Sequence, residues 1–143
     1  MNVEKFQPYH LQVLIAQGVQ QSQLRQVSHV PDAYASLGPI PGRALTVRDG
    51  DRIIMCGGLL GIAPNMSILW ALLSEEAGRH MLWLHRATVR FLDINPPKRI
   101  EASVEVGFPQ GCRWLKLLGF KYEGKSPGFG LNGETHLRFG RVL

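Results

Sequence analysis

The stretch Val104-Glu105-Val106-Gly107-Phe108-Pro109-Gln110-Gly111-Cys112-Arg113-Trp114-Leu115-Lys116-Leu117-Leu118-Gly119-Phe120 decides the fold. Arg99 to Val106 alternates, with Ile100, Ala102, Val104 and Val106 on one face, the period of a half-buried strand. Pro109 to Leu118 reads as a short helix, and Gly119 suits the position just past its end. Phe120 to Tyr122 opens another strand. Lys125 to Gly133, rich in Gly and Pro, is a loop, and Glu134 to Leu143 supplies a final strand.

Working upstream, Ser74-Glu75-Glu76-Ala77 has a hydroxyl cap followed by two carboxylates, a helix start. That helix is expected from Glu75 to Leu92 or Asp93, stopped by Pro96-Pro97. Its core stripe would be Met81, Leu84, Ala87, Phe91 and Ile94, widened by Leu82, Val89 and Leu92. Arg79, Trp83, Arg86 and Arg90 fall on a second stripe. Met66 to Leu73 is a nearly unbroken apolar strand of the kind covered on both faces. Before it, Ala44 to Arg48 and Arg52 to Cys56 flank Asp49-Gly50-Asp51 as a hairpin. Gly57-Gly58 allows a bend or bulge, and Leu59 to Ala63 continues the strand. Near the start, Pro8 and Gly18 bracket a helix over Tyr9 to Gln17. Gln17 to His29 reads as loop or irregular helix, Pro31 to Ala35 as a short helix, and Pro39, Pro41 and Gly42 as a turn. The expected order is ααββββαβαββ, in a single domain over residues 1–143.

Composition narrows the classes. A chain of 143 residues, 45% apolar and 19% charged, can bury a sizeable core, which excludes a wholly disordered chain. No apolar run approaches the roughly 20 residues that span a bilayer, and no signal core follows Met1. Cys56 and Cys112 form neither a C-x-x-C pair nor a secreted framework, so a reducing compartment is expected. The net charge is +5, and eleven of the 16 basic residues are Arg. Guanidinium forks suit phosphates and carboxylates, so phosphate contact with DNA is one use of them. A solvated surface is the other.

With Val104-x-Val106 followed by the run Gly111 to Phe120, which ends in the tripeptide Leu118-Gly119-Phe120, the chain resembles the C-terminal half of a GNAT acyltransferase. The hairpin, long strand and helix upstream stand in that family's order. The resemblance implies an α/β fold: a mixed, bent central sheet flanked by helices. Phe6-x-Pro8-x-His10, Gly57-Gly58, the strand with Trp70, the long helix and Phe120 are also similar to the internal virion protein A family of T7-like bacteriophages.

The GNAT resemblance also implies a place for acetyl-CoA. A pyrophosphate cradle of the pattern Gln/Arg-x-x-Gly-x-Gly/Ala would occupy Ser74 to His80, where this chain has one glycine and two carboxylates that oppose phosphate. The family's general-acid Tyr would fall at Leu115, which cannot donate a proton. The Asn common near the start of that helix is absent. Tyr9, Tyr34, Tyr122 and Cys112 remain as substitutes for the acid, and Glu101, Glu105, His10 and His80 as bases; no spacing selects one. His80 and His85, five apart, do not form a helical metal pair. Cys56, Cys112, His29 and His136 show no metal-ligand cadence. Gly-x-Ser-x-Gly is missing, and Ser126 to Gly130 lacks the Lys-Ser/Thr of a phosphate loop.

The expectation is therefore a GNAT-like virion or assembly-associated structural protein that has lost acetyl-CoA chemistry. It would reside in the virion or host bacterial cytoplasm, without cofactor, catalytic residues or metal site. Contacts with other phage structural proteins would run through Arg79, Trp83, Arg86 and Arg90. The alternatives are an active N-acetyltransferase using acetyl-CoA with a divergent loop, and a basic modulator that binds nucleic acid or a host protein.

Overall fold

A computed structural model describes residues 1–20, 43–130 and 132–143. The strands are β1 (Asn2–Lys5), β2 (Arg43–Asp49), β3 (Arg52–Ala63), β4 (Met66–Leu73), β5 (Arg99–Glu105), β6 (Lys121–Ser126) and β7 (His136–Val142); the helices are α1 (Tyr9–Gln17), α2 (Met81–Asp93) and α3 (Pro109–Leu117). A one-turn 3-10 helix, Ala77–His80, leads into α2. The seven strands form one sheet in the order β1-β2-β3-β4-β5-β7-β6. Only β4 and β5 run parallel among its neighbours. This is the mixed α/β architecture expected of the GNAT fold. The short helix expected at Pro31–Ala35, most of the segment Gln17 to His29, and the turn at Pro39 to Gly42 lie outside the described residues.

Helix α1 covers one face of the sheet and α2 and α3 cover the other. Leu11 and Leu14 of α1 pack with Phe6, Ile53, Cys56 and Leu72. On the opposite face Leu84 of α2 meets Leu45, Val47, Ile54, Met55 and Leu73. Leu115 of α3 joins Leu92, Ile100, Ala102, Val104, Phe120 and Phe139. Ile54 and Met55 are sequence neighbours yet share one cluster. The register shifts there, with Val47 opposite Met55 and Arg48 opposite Ile53. This bulge turns both side chains toward α2.

The stretch from Val104 to Phe120 forms the strand, helix and stop expected of it, and its end is a Schellman cap. Gly119 has φ 92, its N–H donates to the Lys116 carbonyl at 3.1 Å, and the Phe120 N–H donates to Leu115 at 3.0 Å. The six-to-one and five-to-two bonds satisfy carbonyls that the helix end would leave unpaired.

Several expectations need correction. Strand β1 was not anticipated: its four residues are exposed, so no apolar period betrays it, and it is held by pairing with β2 and by buried Phe6. The two pieces Arg52–Cys56 and Leu59–Ala63 are one strand. Gly57 and Gly58 make no bulge in it; they let its neighbours approach. A methyl on Gly57 would lie 2.9 Å from the Trp70 carbonyl oxygen, and one on Gly58 would collide with the Arg43 carbonyl and Ala44. The α-helix starts at Met81, not Glu75, because Ser74 closes a tight turn instead of capping it. Its hydroxyl accepts from the Glu76 N–H at 3.2 Å and its carbonyl from the Ala77 N–H at 3.1 Å. The buried stripe of α2 is Leu84, Thr88 and Leu92, while Leu82 and Ile94 are exposed. Most of β4 is only half-buried, because its parallel neighbour leaves it partway along.

Candidate functional site: the cleft between the parallel strands

Strands β4 and β5 pair only at Met66 with Arg99, Ser67 with Ile100 and Ile68 with Glu101. Beyond that, β4 continues through Leu69 to Leu73 and β5 through Ala102 to Glu105 with no ladder between them. A parallel pair normally keeps evenly spaced bonds along its length. Here the strands part, and a cavity of about 420 Å³ opens in the gap. Leu69, Ala71, Leu73, Phe91, Val104, Leu115 and Leu118 make its walls largely apolar. Gly111 sets the wall of α3 close to β5: a methyl there would stand 3.0 Å from a Val104 methyl and 2.9 Å from the Phe108 ring.

Three of the residues that line the cavity carry an unpartnered polar atom. Thr88 Oγ1, Trp114 Nε1 and His136 Nδ1 are buried and have no hydrogen-bond partner among the described residues, and all three residues line the cavity. A buried polar atom without a partner costs about 1–3 kcal/mol. Three on residues that line one cavity are groups that a ligand with its own donors and acceptors could satisfy. Thr88 and Trp114 come from the helices on one side. His136 comes from β7, in register with Glu105 of β5 and Ser126 of β6. The Phe129 ring stands 5.0 Å from the His136 ring.

In the segment Ser74 to His80, where the GNAT resemblance places a pyrophosphate cradle, the residue chemistry is mixed. The Glu76 and Ala77 amides are committed to Ser74, so neither is a ready phosphate donor. The Glu76 carboxylate is engaged by Arg52 at 2.5 Å and Arg79 at 3.3 Å, which offsets the repulsion expected from it. Glu75 and Gly78 are exposed.

An acyl-pantetheine thioester such as acetyl-CoA, which the fold implies, can be tested against these residues. The gap between β4 and β5 can receive an extended, amide-bearing arm lying between the two strands. Thr88 and Trp114 supply unused polar atoms beside it, and the apolar walls suit its alkyl segments. The arm therefore fits. A diphosphate would rely on Arg79 and the backbone at exposed Gly78, since the usual amides are taken.

The residues singled out from the sequence fall in several places. Arg79, Arg86 and Arg90 are exposed, and Arg79 is tied to Glu76. Trp83 is half-buried and packs against the core under α2. Leu115, in the expected acid position, lines the cleft. Glu101 is paired with Arg99 at 2.9 Å, and Arg99 also binds Glu123, which holds the Glu123 carboxyl below its ordinary value. His80 approaches Asp49 at 3.5 Å. His10 is on the buried side of α1, against Glu4 and Thr46. Tyr9 and Tyr122 are exposed, Cys112 is half-buried, and Tyr34 and His29 lie outside the described residues. Of the candidate bases, Glu101 pairs with Ile68 where the strands part and Glu105 lies opposite His136, but none of the four lines the cavity. His136, Thr88 and Trp114 carried no recognisable spacing in the sequence; only the divergence of β4 from β5 brings them to one cavity. Among the described residues, no group of three His, Cys, Asp or Glu could hold a metal ion, and no helix is long and apolar enough to cross a membrane.

The fold and this cleft define a GNAT-like α/β protein. Solved structures agree over nearly the whole chain. A variant of the spermidine N-acetyltransferase SpeG from Vibrio cholerae superposes with a TM-score of 0.68 at 15% identity, covering 99% of this chain and 95% of that one. A chimera of Vibrio cholerae SpeG and hSSAT gives 0.70 at 17% identity, covering 99% and 96%. The protein smu.2055 from Streptococcus mutans UA159 gives 0.69 at 12% identity, covering 99% of each. No family model and no curated protein matches the chain. At these identities the likeness concerns the fold.

Proposed function

We propose that this protein is an N-acyltransferase that takes an acyl group from a pantetheine thioester of the acetyl-CoA type and passes it to an amine. The observation that carries this reading is the parting of β4 from β5 after Ile68 and Glu101, along a largely apolar cavity. The bound thioester supplies the acyl group. The chain's part is to hold the arm between the two strands, with Thr88 and Trp114 beside it, and to exclude water with Leu69, Phe91, Leu115 and Leu118. The likeness to spermidine N-acetyltransferases makes a polyamine the first acceptor to try.

This reading displaces the loss of acetyl-CoA chemistry expected from Leu115 and Ser74 to His80. A particle-structural role, implied by the resemblance to the internal virion protein A family, draws no support from the similar structures, two of which are named for acetyl transfer. Surface contacts through exposed Arg86 and Arg90, with Arg79 and Trp83 near them, are a separate proposal that does not compete for the cleft. Calorimetric titration with acetyl-CoA, followed by thiol release with spermidine and other amines, tests the main reading. Micromolar binding and amine-dependent release are expected. Absence of both would return the chain to a role carried by its surfaces.

A further inference from the structure

Acyl transfer to an amine needs a group that takes a proton, since an amine is mostly protonated at neutral pH and only its free base attacks. We infer that His136 Nδ1 is that proton acceptor, an inference that rests on the acyltransferase reading of the same cleft. Three observations converge on it. His136 is 6% exposed, its Nδ1 is buried without a partner among the described residues, and it lines the cavity that opens where β4 leaves β5.

Imidazole is the side chain best matched to proton transfer near neutral pH. The tautomer required carries its hydrogen on Nε2 and leaves the Nδ1 lone pair free to accept. Other titratable groups are placed less well. Glu101 is bound to Arg99, and His10 is committed to Glu4 and Thr46 on the far side of the α1 cluster. Cys56 packs in that same cluster. His85 Nδ1 is also unpartnered but does not line the cavity. The charged residues that the fold places beside His136 are Glu105 opposite it on β5, Glu134 among the cavity's lining residues, and Arg138 two residues along β7.

In the step itself, the substrate ammonium gives one proton to His136 Nδ1, directly or through one water. The neutral amine nitrogen then forms the C–N bond as the C–S bond breaks. The sulfur leaves with the bonding pair and takes up the second nitrogen proton, giving an amide and a free thiol. His136 returns its proton to solvent. Leu115 explains why the leaving sulfur is served by the substrate's own proton: no donor side chain stands at that position.

The test compares wild type, His136→Gln and His136→Ala with acetyl-CoA and spermidine as probes. Expected are a loss of about 100-fold in kcat/KM, unchanged acetyl-CoA affinity by calorimetry, loss of the wild-type pH limb, and partial rescue of His136→Ala by added imidazole. Retained acetyl-CoA binding also shows that the variants are folded. As an independent measurement, the His136 ring nitrogens of the wild type should shift in NMR when spermidine is added to the acetyl-CoA complex. An active wild type whose pH profile survives in His136→Gln, or whose His136 signals stay fixed, overturns the role of His136 alone. A wild type that neither binds acetyl-CoA nor releases thiol with any amine overturns the acyltransferase reading and this inference together.

Discussion

The His10 imidazole and the Thr46 hydroxyl stand 2.8 Å apart, joining α1 to the second strand of the sheet. Nδ1 of His10 also accepts the Gln7 N–H at 3.0 Å, and Nε2 faces Glu4 at 3.3 Å. Nδ1 is therefore an acceptor and His10 is neutral in this arrangement. Burial holds its pKa below the ordinary value, against the pull of Glu4. A histidine with a lowered folded pKa binds protons more readily when unfolded, so stability rises with pH between the two values. The contribution is complete above the unfolded value of about 6.5 and is lost as pH falls from there to the folded value. Chemical denaturation at pH 5 and pH 7.5 should show lower stability at the acid end. His10→Gln should flatten that difference.

The two thiols should separate cleanly by reactivity. Cys56 is fully buried, its Sγ is 3.7 Å from the Thr46 hydroxyl, and burial pushes its pKa up to about 11. The thiolate is the reactive form. Cys112 is only half-buried. A colorimetric thiol titration at pH 8 should count one fast group in the native chain and two after denaturation. Fast labelling that survives Cys112→Ser would contradict the packing around Cys56.

Gly58→Ala should cost about 3 kcal/mol or more, toward the upper end of overpacking changes. The new methyl would meet backbone of the neighbouring strand, the Arg43 carbonyl and Ala44 Cα, and backbone in mid-sheet has little room to yield. Gly78→Ala, where a methyl meets nothing within 4 Å, is the matched control and should stay within about 0.5 kcal/mol. Thermal melts of the pair provide the comparison.

Thr88→Val exchanges an unpartnered buried hydroxyl for a methyl of nearly the same size. Removing the unsatisfied group should raise stability by about 1 kcal/mol. If the hydroxyl serves the pantetheine arm, acetyl-CoA affinity should fall about 5- to 10-fold, the worth of one hydrogen bond. A variant that is both more stable and equally tight would remove Thr88 from the binding site.

Local chemistry was enough to read Met66–Leu73 as a strand, Asp49-Gly50-Asp51 as a turn and Gly119 as a helix stop. Apolar period, turn residues and caps act over a few positions, so they are written in the chain itself. Together they placed the elements in an order compatible with one α/β fold. Strand β1 escaped because pairing with β2, rather than an apolar face, holds its exposed residues. The start of α2 moved because Ser74 spends its hydroxyl and carbonyl on the Glu76 and Ala77 amides. The cleft was beyond any local reading, since Thr88, Trp114 and His136 lie on three separate elements. Only the parting of β4 from β5 after Ile68 and Glu101 leaves their polar atoms buried around one cavity. Residue types settled what each element could be; the geometry of packing decided which chemistry they share.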